Sequence, residues 1–165
     1  MKLYQLHSKQ KLPITVQEAW DFLSNPKNLK LITPDSMGFV IKSGADRPMY
    51  PGQLIQYTVT PIAGIQTKWV SEITQVKEPE YFVDEQRFGP YAMWHHKHFI
   101  TPIEGGVEME DIVDYKLPFG ILGQLAHPLL VKNKLLEIFK FREKKLVEIF
   151  GEYNDEPKVI TMQSI

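Results

Sequence analysis

The chain has 165 residues, 43% hydrophobic and 24% charged, which is enough to enclose one substantial core and argues against a second domain. Nineteen basic residues against twenty acidic ones leave a formal charge of -1. The one compact basic run, Lys140-Phe141-Arg142-Glu143-Lys144-Lys145, is interrupted by Glu143, so nucleic acid is a poor partner. The absence of cysteine excludes a disulfide framework and a thiolate nucleophile. No apolar run approaches the roughly 18 residues of a spanning helix, and the first residues lack the apolar stretch of a secretion signal. The expectation is a soluble, cytoplasmic protein.

Residues 3–12 read as a strand that runs into Pro13. Thr15-Val16-Gln17-Glu18 has the spacing of a capping box, and a short helix follows with Val16, Ala19, Trp20 and Leu23 on its buried face. Ser24-Asn25-Pro26 stops it and starts a second short helix, with Asn25 as cap and Pro26 in the first position. Turn signals at Met37-Gly38, Ser43-Gly44, Tyr50-Pro51-Gly52, Ala63-Gly64, Glu78-Pro79-Glu80, Gly89-Pro90 and Gly105-Gly106 then divide the chain into strands. Six are predicted, over 39–42, 53–60, 65–77, 81–88, 92–101 and 107–117. Connections this short imply antiparallel neighbours.

From Leu129 to Phe150 apolar residues recur at three and four, which predicts one long amphipathic helix of roughly 22 residues, about 33 Å. Pro128 suits its first turn and Gly151 its stop. The charged face of Lys140, Arg142, Lys144 and Lys145 reads as solvated surface. Residues 152–165 read as a polar tail with little to bury, leaving 1–151 as a single domain. A seven-stranded antiparallel sheet cannot cover its own inner face, so the long helix must lie across it: an α+β helix-grip architecture, with the two short helices after the first strand.

The most informative stretch is Trp94-His95-His96-Lys97-His98-Phe99-Ile100. Alternate side chains of a strand share a face, so Trp94, His96, His98 and Ile100 point one way and His95 and Lys97 the other. A face that mixes indole with imidazoles fits the lining of a chamber better than a packed core. On the neighbouring strands one parity holds Phe82, Asp84, Gln86 and Phe88, and another Asp111, Val113, Tyr115 and Leu117. Antiparallel pairing brings Gln86, His96, His98, Asp111 and Tyr115 to one side, beside Trp69 and Trp94.

The segments Ala19-Trp20-Asp21-Phe22-Leu23-Ser24-Asn25-Pro26-Lys27-Asn28-Leu29 and Ile32-Thr33-Pro34, then Trp69 with Ile73 and Phe82-Val83-Asp84-Glu85-Gln86, carry a family likeness. Gly89-Pro90-Tyr91, Trp94-His95-His96-Lys97-His98 and Asp111-Ile112-Val113-Asp114-Tyr115-Lys116-Leu117-Pro118-Phe119-Gly120 extend it over nearly the whole chain. In these the sequence resembles the START/Bet v 1-like superfamily (SRPBCC, polyketide cyclase-like), and within it bacterial stand-alone ligand-binding proteins. The resemblance implies a fold with a central apolar cavity used for lipids, polyketides or other hydrophobic molecules, and in some relatives for cyclase or hydrolase chemistry. It does not identify a ligand, because the fold hosts many functions.

Three roles are open to the polar group. Asp111, His96 and His98 can form a structural network that pins strand register. The same groups can orient the polar end of a ligand while Trp69, Trp94 and Phe82 enclose the rest. Or His96 or His98 can act as a general base tuned by Asp111, with Tyr115 as a donor to an oxyanion. Binding is preferred over catalysis because no nucleophile stands in a recognisable setting. The candidate ligand-binding residues are Trp69, Phe82, Gln86, Trp94, His96, His98, Asp111 and Tyr115. His-x-His with Asp111 offers three ligands to a metal, but neither His7 nor His127 is placed to complete the set, and no metal or cofactor is assigned. The stretch Leu117-Pro118-Phe119-Gly120-Ile121-Leu122 is either a portal in transient contact with a membrane or, as preferred here, a loop tucking Phe119 and Leu122 into the core. A third function class, a protein interaction module, would require an exposed apolar patch.

Overall fold

Strict alternation of buried and half-exposed residues along β1 (Tyr4–Leu12) and β7 (Gly106–Lys116) marks one covered and one solvated sheet face, the pattern expected of antiparallel strands. The computed structural model describes residues 2–60, 65–153 and 159–165. Among them β2 (Val40–Ser43), β3 (Gln53–Val59), β4 (Thr67–Lys77), β5 (Tyr81–Phe88), β6 (Met93–Ile103) and β8 (Val159–Ser164) complete an eight-stranded sheet. Its order is β2-β3-β4-β5-β6-β7-β1-β8 with every neighbour antiparallel. Register shifts in β4 between Val70 and Ser71 and between Ile73 and Gln75 add local bend and twist.

The expected capping box forms: Thr15 Oγ1 accepts from the Glu18 amide at 3.2 Å, and Glu18 accepts from the Thr15 amide at 2.8 Å. It opens α1 (Val16–Leu23), followed by a 3-10 turn, Pro26–Lys30, capped by Asn25. Trp20 and Ala19 pack with Leu12, Phe82, Ile100, Val107 and Leu146 in one core cluster. A side chain of this size contributes about 1.5–3 kcal/mol when fully buried.

Three expectations need correction. The segment read as a polar tail contains β8, which pairs with β1 from Tyr4↔Ser164 to Lys9↔Val159. Its alternation is shallow, with Ile160 and Met162 only partly buried against the core, which is why it passed for a tail. The single helix is α2 (Gly120–Ala126), a π turn at His127–Val131, and α3 (Lys132–Phe150), so Pro128 sits inside a widened turn. Such a turn loosens the backbone ladder where proline cannot donate. Finally, Phe119 and Leu122 are not tucked in: they are 82% and 73% exposed, beside exposed Ile121 and Leu125. The turn expected at Ala63-Gly64 lies outside the described residues, as does the side chain of Leu129. No helix among the described residues is long and apolar enough to cross a membrane.

The π turn aims His127 inward. Its ring stacks on Tyr4 at 3.7 Å and 10°, and its Nε2 lies 2.7 Å from the hydroxyl of Tyr115, a residue with no exposed surface. Burial, then Lys2 and Lys132, hold His127 below the ordinary imidazole value. With the ring neutral and its proton on Nδ1, Nε2 accepts a hydrogen bond from the Tyr115 hydroxyl. Below about pH 6.5 the unfolded chain takes up a proton that the folded chain refuses, so stability falls as the pH drops and is recovered as it rises. His127→Gln is expected to flatten the dependence of the urea midpoint on pH between about 7.5 and 5, relative to the parent chain. An unchanged slope would show that His127 is not held neutral.

Candidate functional site

Helix α3 lies over the covered face of the sheet with Leu135, Phe139, Arg142 and Leu146 buried, a stripe at spacings of four, three and four. The stripe packs at one end on Tyr4, Leu6, Val113 and Tyr115, and near the other on the α1 cluster. Between the helix and strands β2 to β6 a cavity of about 200 Å³ remains. Part of its wall is aromatic. Trp69 stands edge-on to Trp94 at 5.4 Å and 87°, Tyr57 stacks on Trp69 at 5.8 Å, and Tyr91 lies 4.8 Å from Trp94. The Trp69 Nε1 donates to Ser71 Oγ at 3.1 Å, so the indole is held by its polar edge and offers its rings to the hollow.

Another part of the wall is charged. Asp84 on β5 is directly across from His96 on β6 in the strand register, and Phe82 is across from His98. His98 donates from Nε2 to Asp84 Oδ2 at 2.9 Å, and His96 Nδ1 faces the same oxygen at 3.7 Å. Behind the two rings, Asp111 Oδ1 accepts from His96 Nε2 at 3.1 Å. The same Oδ1 lies 2.8 Å from His98 Nδ1, too poorly aligned for a hydrogen bond, and 3.2 Å from Arg142 Nη2. One carboxylate oxygen of β7 thus meets two imidazoles from β6 and a guanidinium from the helix. Phe82 stacks on His98 at 4.1 Å and fixes the ring plane.

The electrostatics of the group balance. Burial, then the neighbouring His98, pushes His96 down to about 4 against the pull of Asp111 and Asp84. Burial also disfavours charge on His98, but its contacts with Asp111 and Asp84 outweigh it and raise the ring above its ordinary value. Burial alone would raise the two carboxyls. Arg142 and the imidazoles hold Asp111 well below the usual range, and the histidines with Arg142 hold Asp84 below it. Of the two rings, His98 is the one its surroundings favour as imidazolium, while His96 is held neutral. In that state two carboxylates face one guanidinium and one imidazolium, and the cluster has no net charge.

Of the eight candidate residues, Trp69, Phe82, Trp94, His96 and His98 line the cavity. Asp111 stands behind the imidazoles. Gln86 and Tyr115 are placed on the same face but away from the hollow. Gln86 clamps the turn at Tyr91, donating to the Tyr91 carbonyl at 2.7 Å and accepting from its amide at 3.2 Å, over a Gly89 that has no room for a side chain. Tyr115 is committed to His127. Two charged residues of the cavity wall are absent from the sequence candidates, Asp84 and Arg142. Asp84 had been placed on the right parity and needed only the register that sets it against His96. Arg142, expected on the solvated face, is 7% exposed, and the signal for it was its place on the period of Leu135, Phe139 and Leu146.

No family model and no curated protein matches the sequence. Solved structures do match the fold. Protein Ms6760 from Mycobacterium smegmatis is similar at 19% identity and a TM-score of 0.62, covering 88% of this chain and 92% of that one. Ara h 8.0201 is similar at 15% identity and 0.59, over 88% and 99%. A norcoclaurine synthase point mutant of Thalictrum flavum, in complex with a transition-state analogue, is similar at 12% and 0.62, over 90% and 98%. The chain therefore has a Bet v 1-like helix-grip fold.

The cluster makes a stability prediction. Arg142→Met strips the buried Asp111 of its guanidinium and is expected to cost about 3–5 kcal/mol of unfolding free energy, read from urea denaturation. Arg142→Met combined with Asp111→Leu should recover part of that loss. Additive losses in the double variant would mean that the two residues are not coupled.

Proposed function

We propose that the protein binds or carries a small hydrophobic molecule with one polar end, such as a polyketide, a short lipid or a similar compound, in the cavity under α3. The carrying observation is the division of the wall into Trp69, Trp94, Tyr57 and Tyr91 on one part and Asp84, His96, His98 and Arg142 on another. Apolar burial supplies affinity, and the charged group fixes orientation. The Arg142 Nε is buried without a hydrogen-bond partner among the described residues, and it suits an acceptor on the ligand. A volume of about 200 Å³ is below the roughly 300–1,000 Å³ of drug-sized sites, which favours a molecule of one or two rings over a long acyl chain. The similarity to a norcoclaurine synthase solved with a transition-state analogue supports a small molecule as occupant. The reading is of a cytoplasmic binding protein of the bacterial stand-alone type. Cyclase- or hydrolase-like turnover through the same histidines is the competing one, and it predicts product formation that His96→Gln abolishes while folding is kept.

Thermal shift and native mass spectrometry against a panel of apolar aromatics and short acyl compounds test the proposal, with N-phenyl-1-naphthylamine as fluorescent probe. Ile73, 2% exposed on the cavity wall, is the place to fill it. Ile73→Phe is expected to weaken probe binding by about tenfold or more, roughly 1.4 kcal/mol, with the fold retained. Probe binding indifferent to that change, or no binding at all, would remove the cavity as the site.

The exposed residues Phe119, Ile121, Leu122 and Leu125 support transient contact with a membrane surface, from which an apolar ligand is drawn. The paired change Phe119→Ser and Leu122→Ser is expected to abolish co-sedimentation with lipid vesicles and leave probe binding intact. A stable protein complex in pull-downs, lost in the same variant, would favour the interaction-module reading instead.

A further inference from the structure

The ligating atoms of Asp84, His96 and His98 all lie within 4.8 Å of one another. Asp84 Oδ2 is 2.9 Å from His98 Nε2 and 3.7 Å from His96 Nδ1. These values bracket the roughly 3.3 Å that a tetrahedral ion with bonds of about 2.0 Å sets between its ligand atoms. The other nitrogen of each ring faces Asp111, His96 Nε2 at 3.1 Å and His98 Nδ1 at 2.8 Å. A carboxylate behind a ligating imidazole fixes its tautomer and ring orientation; here Asp111, itself held by Arg142, does so for His96 by a hydrogen bond and stands as an ion-pair contact beside His98. Phe82 stacked on His98 and Trp94 edge-on to His96 close the apolar shell around them.

We propose that Asp84, His96 and His98 form a three-ligand site for a divalent transition-metal ion of the zinc or iron(II) class, with Asp111 and Arg142 as its supporting shell. Asp84, not the Asp111 expected from sequence, supplies the carboxylate ligand. Two imidazoles and one carboxylate leave coordination positions open, and all three residues line the cavity, so the open side faces the hollow. With the ion bound, two carboxylates, one guanidinium and neutral imidazoles leave one net positive charge. An anionic oxygen donor, a carboxylate or an enolate, is then the favoured partner in the cavity. The site goes beyond the ligand reading and does not rest on it, because the ion is measured with no organic molecule present.

The test uses the full chain, stripped with a chelator and titrated with Co(II) and Zn(II). One ion per chain is expected by elemental analysis, with visible ligand-field bands for Co(II). Asp84→Asn and His98→Gln are expected to lower affinity by about tenfold or more, and Asp111→Asn by about 10–100-fold, with circular dichroism confirming the fold. The parent chain labelled with ¹⁵N-histidine gives a reading that needs no variant: Zn(II) should shift the ring nitrogens of His96 and His98 and leave those of His7 and His95 in place. No stoichiometric uptake, or shifts confined to the surface histidines, would overturn the proposal. So would uptake lost in His95→Ala but kept in Asp84→Asn.

Discussion

A carboxylate buried to 6% exposure must be neutralised where it stands, and Asp111 is neutralised from three directions through one oxygen. Moving such a group out of water costs several kcal/mol, and only close, well-placed partners return it. The consequence is geometric. His96 and His98 belong to β6, Asp111 to β7 and Arg142 to α3, so the same interaction that satisfies the charge fixes where the helix crosses the sheet. Sliding α3 by one turn along its buried stripe would put Phe139 or Leu146 in the place of Arg142 and strand Asp111.

That anchorage explains why the hollow lies where it does. On the β1–β7 side α3 is packed tightly, with Leu135 and Phe139 against Leu6 and Val113. Toward β2–β5 the two register shifts in β4 add local bend, and α3 is tied to β7 through Arg142 and Asp111. The gap is lined by large rings held by their own polar edges, as Trp69 and Tyr57 are, both through Ser71 Oγ.

The neighbours in structure share the frame at identities below 20%, so the frame says little about chemistry. What distinguishes a helix-grip protein is the content of the cavity wall. Here it carries Asp84, His96, His98 and Arg142, backed by Asp111, and every charge of the five has an opposite within contact distance. Buried charge sets of this kind are poor stabilisers compared with apolar packing. Stability alone therefore does not account for a cluster of this composition.

Local sequence determined much of the frame. The capping box at Thr15 and Glu18, Pro26 after Asn25, the turns and the alternation of Trp94, His96 and His98 depend on neighbours in the chain, and each is legible as period or spacing. β8 was not legible, because a weakly alternating edge strand resembles a polar tail until β1 offers it an edge to pair with. Asp84 and Arg142 were missed for a related reason: the first needed the β5–β6 register, the second the phase of a helix relative to a sheet. Gln86 and Tyr115 were correctly set on the covered face, yet a face is wider than a cavity, and their partners at Tyr91 and His127 come from loop and helix geometry. Periodicity tells which side of an element a residue takes. Only the packing of α3 across the sheet decides which charges meet and where space is left between them.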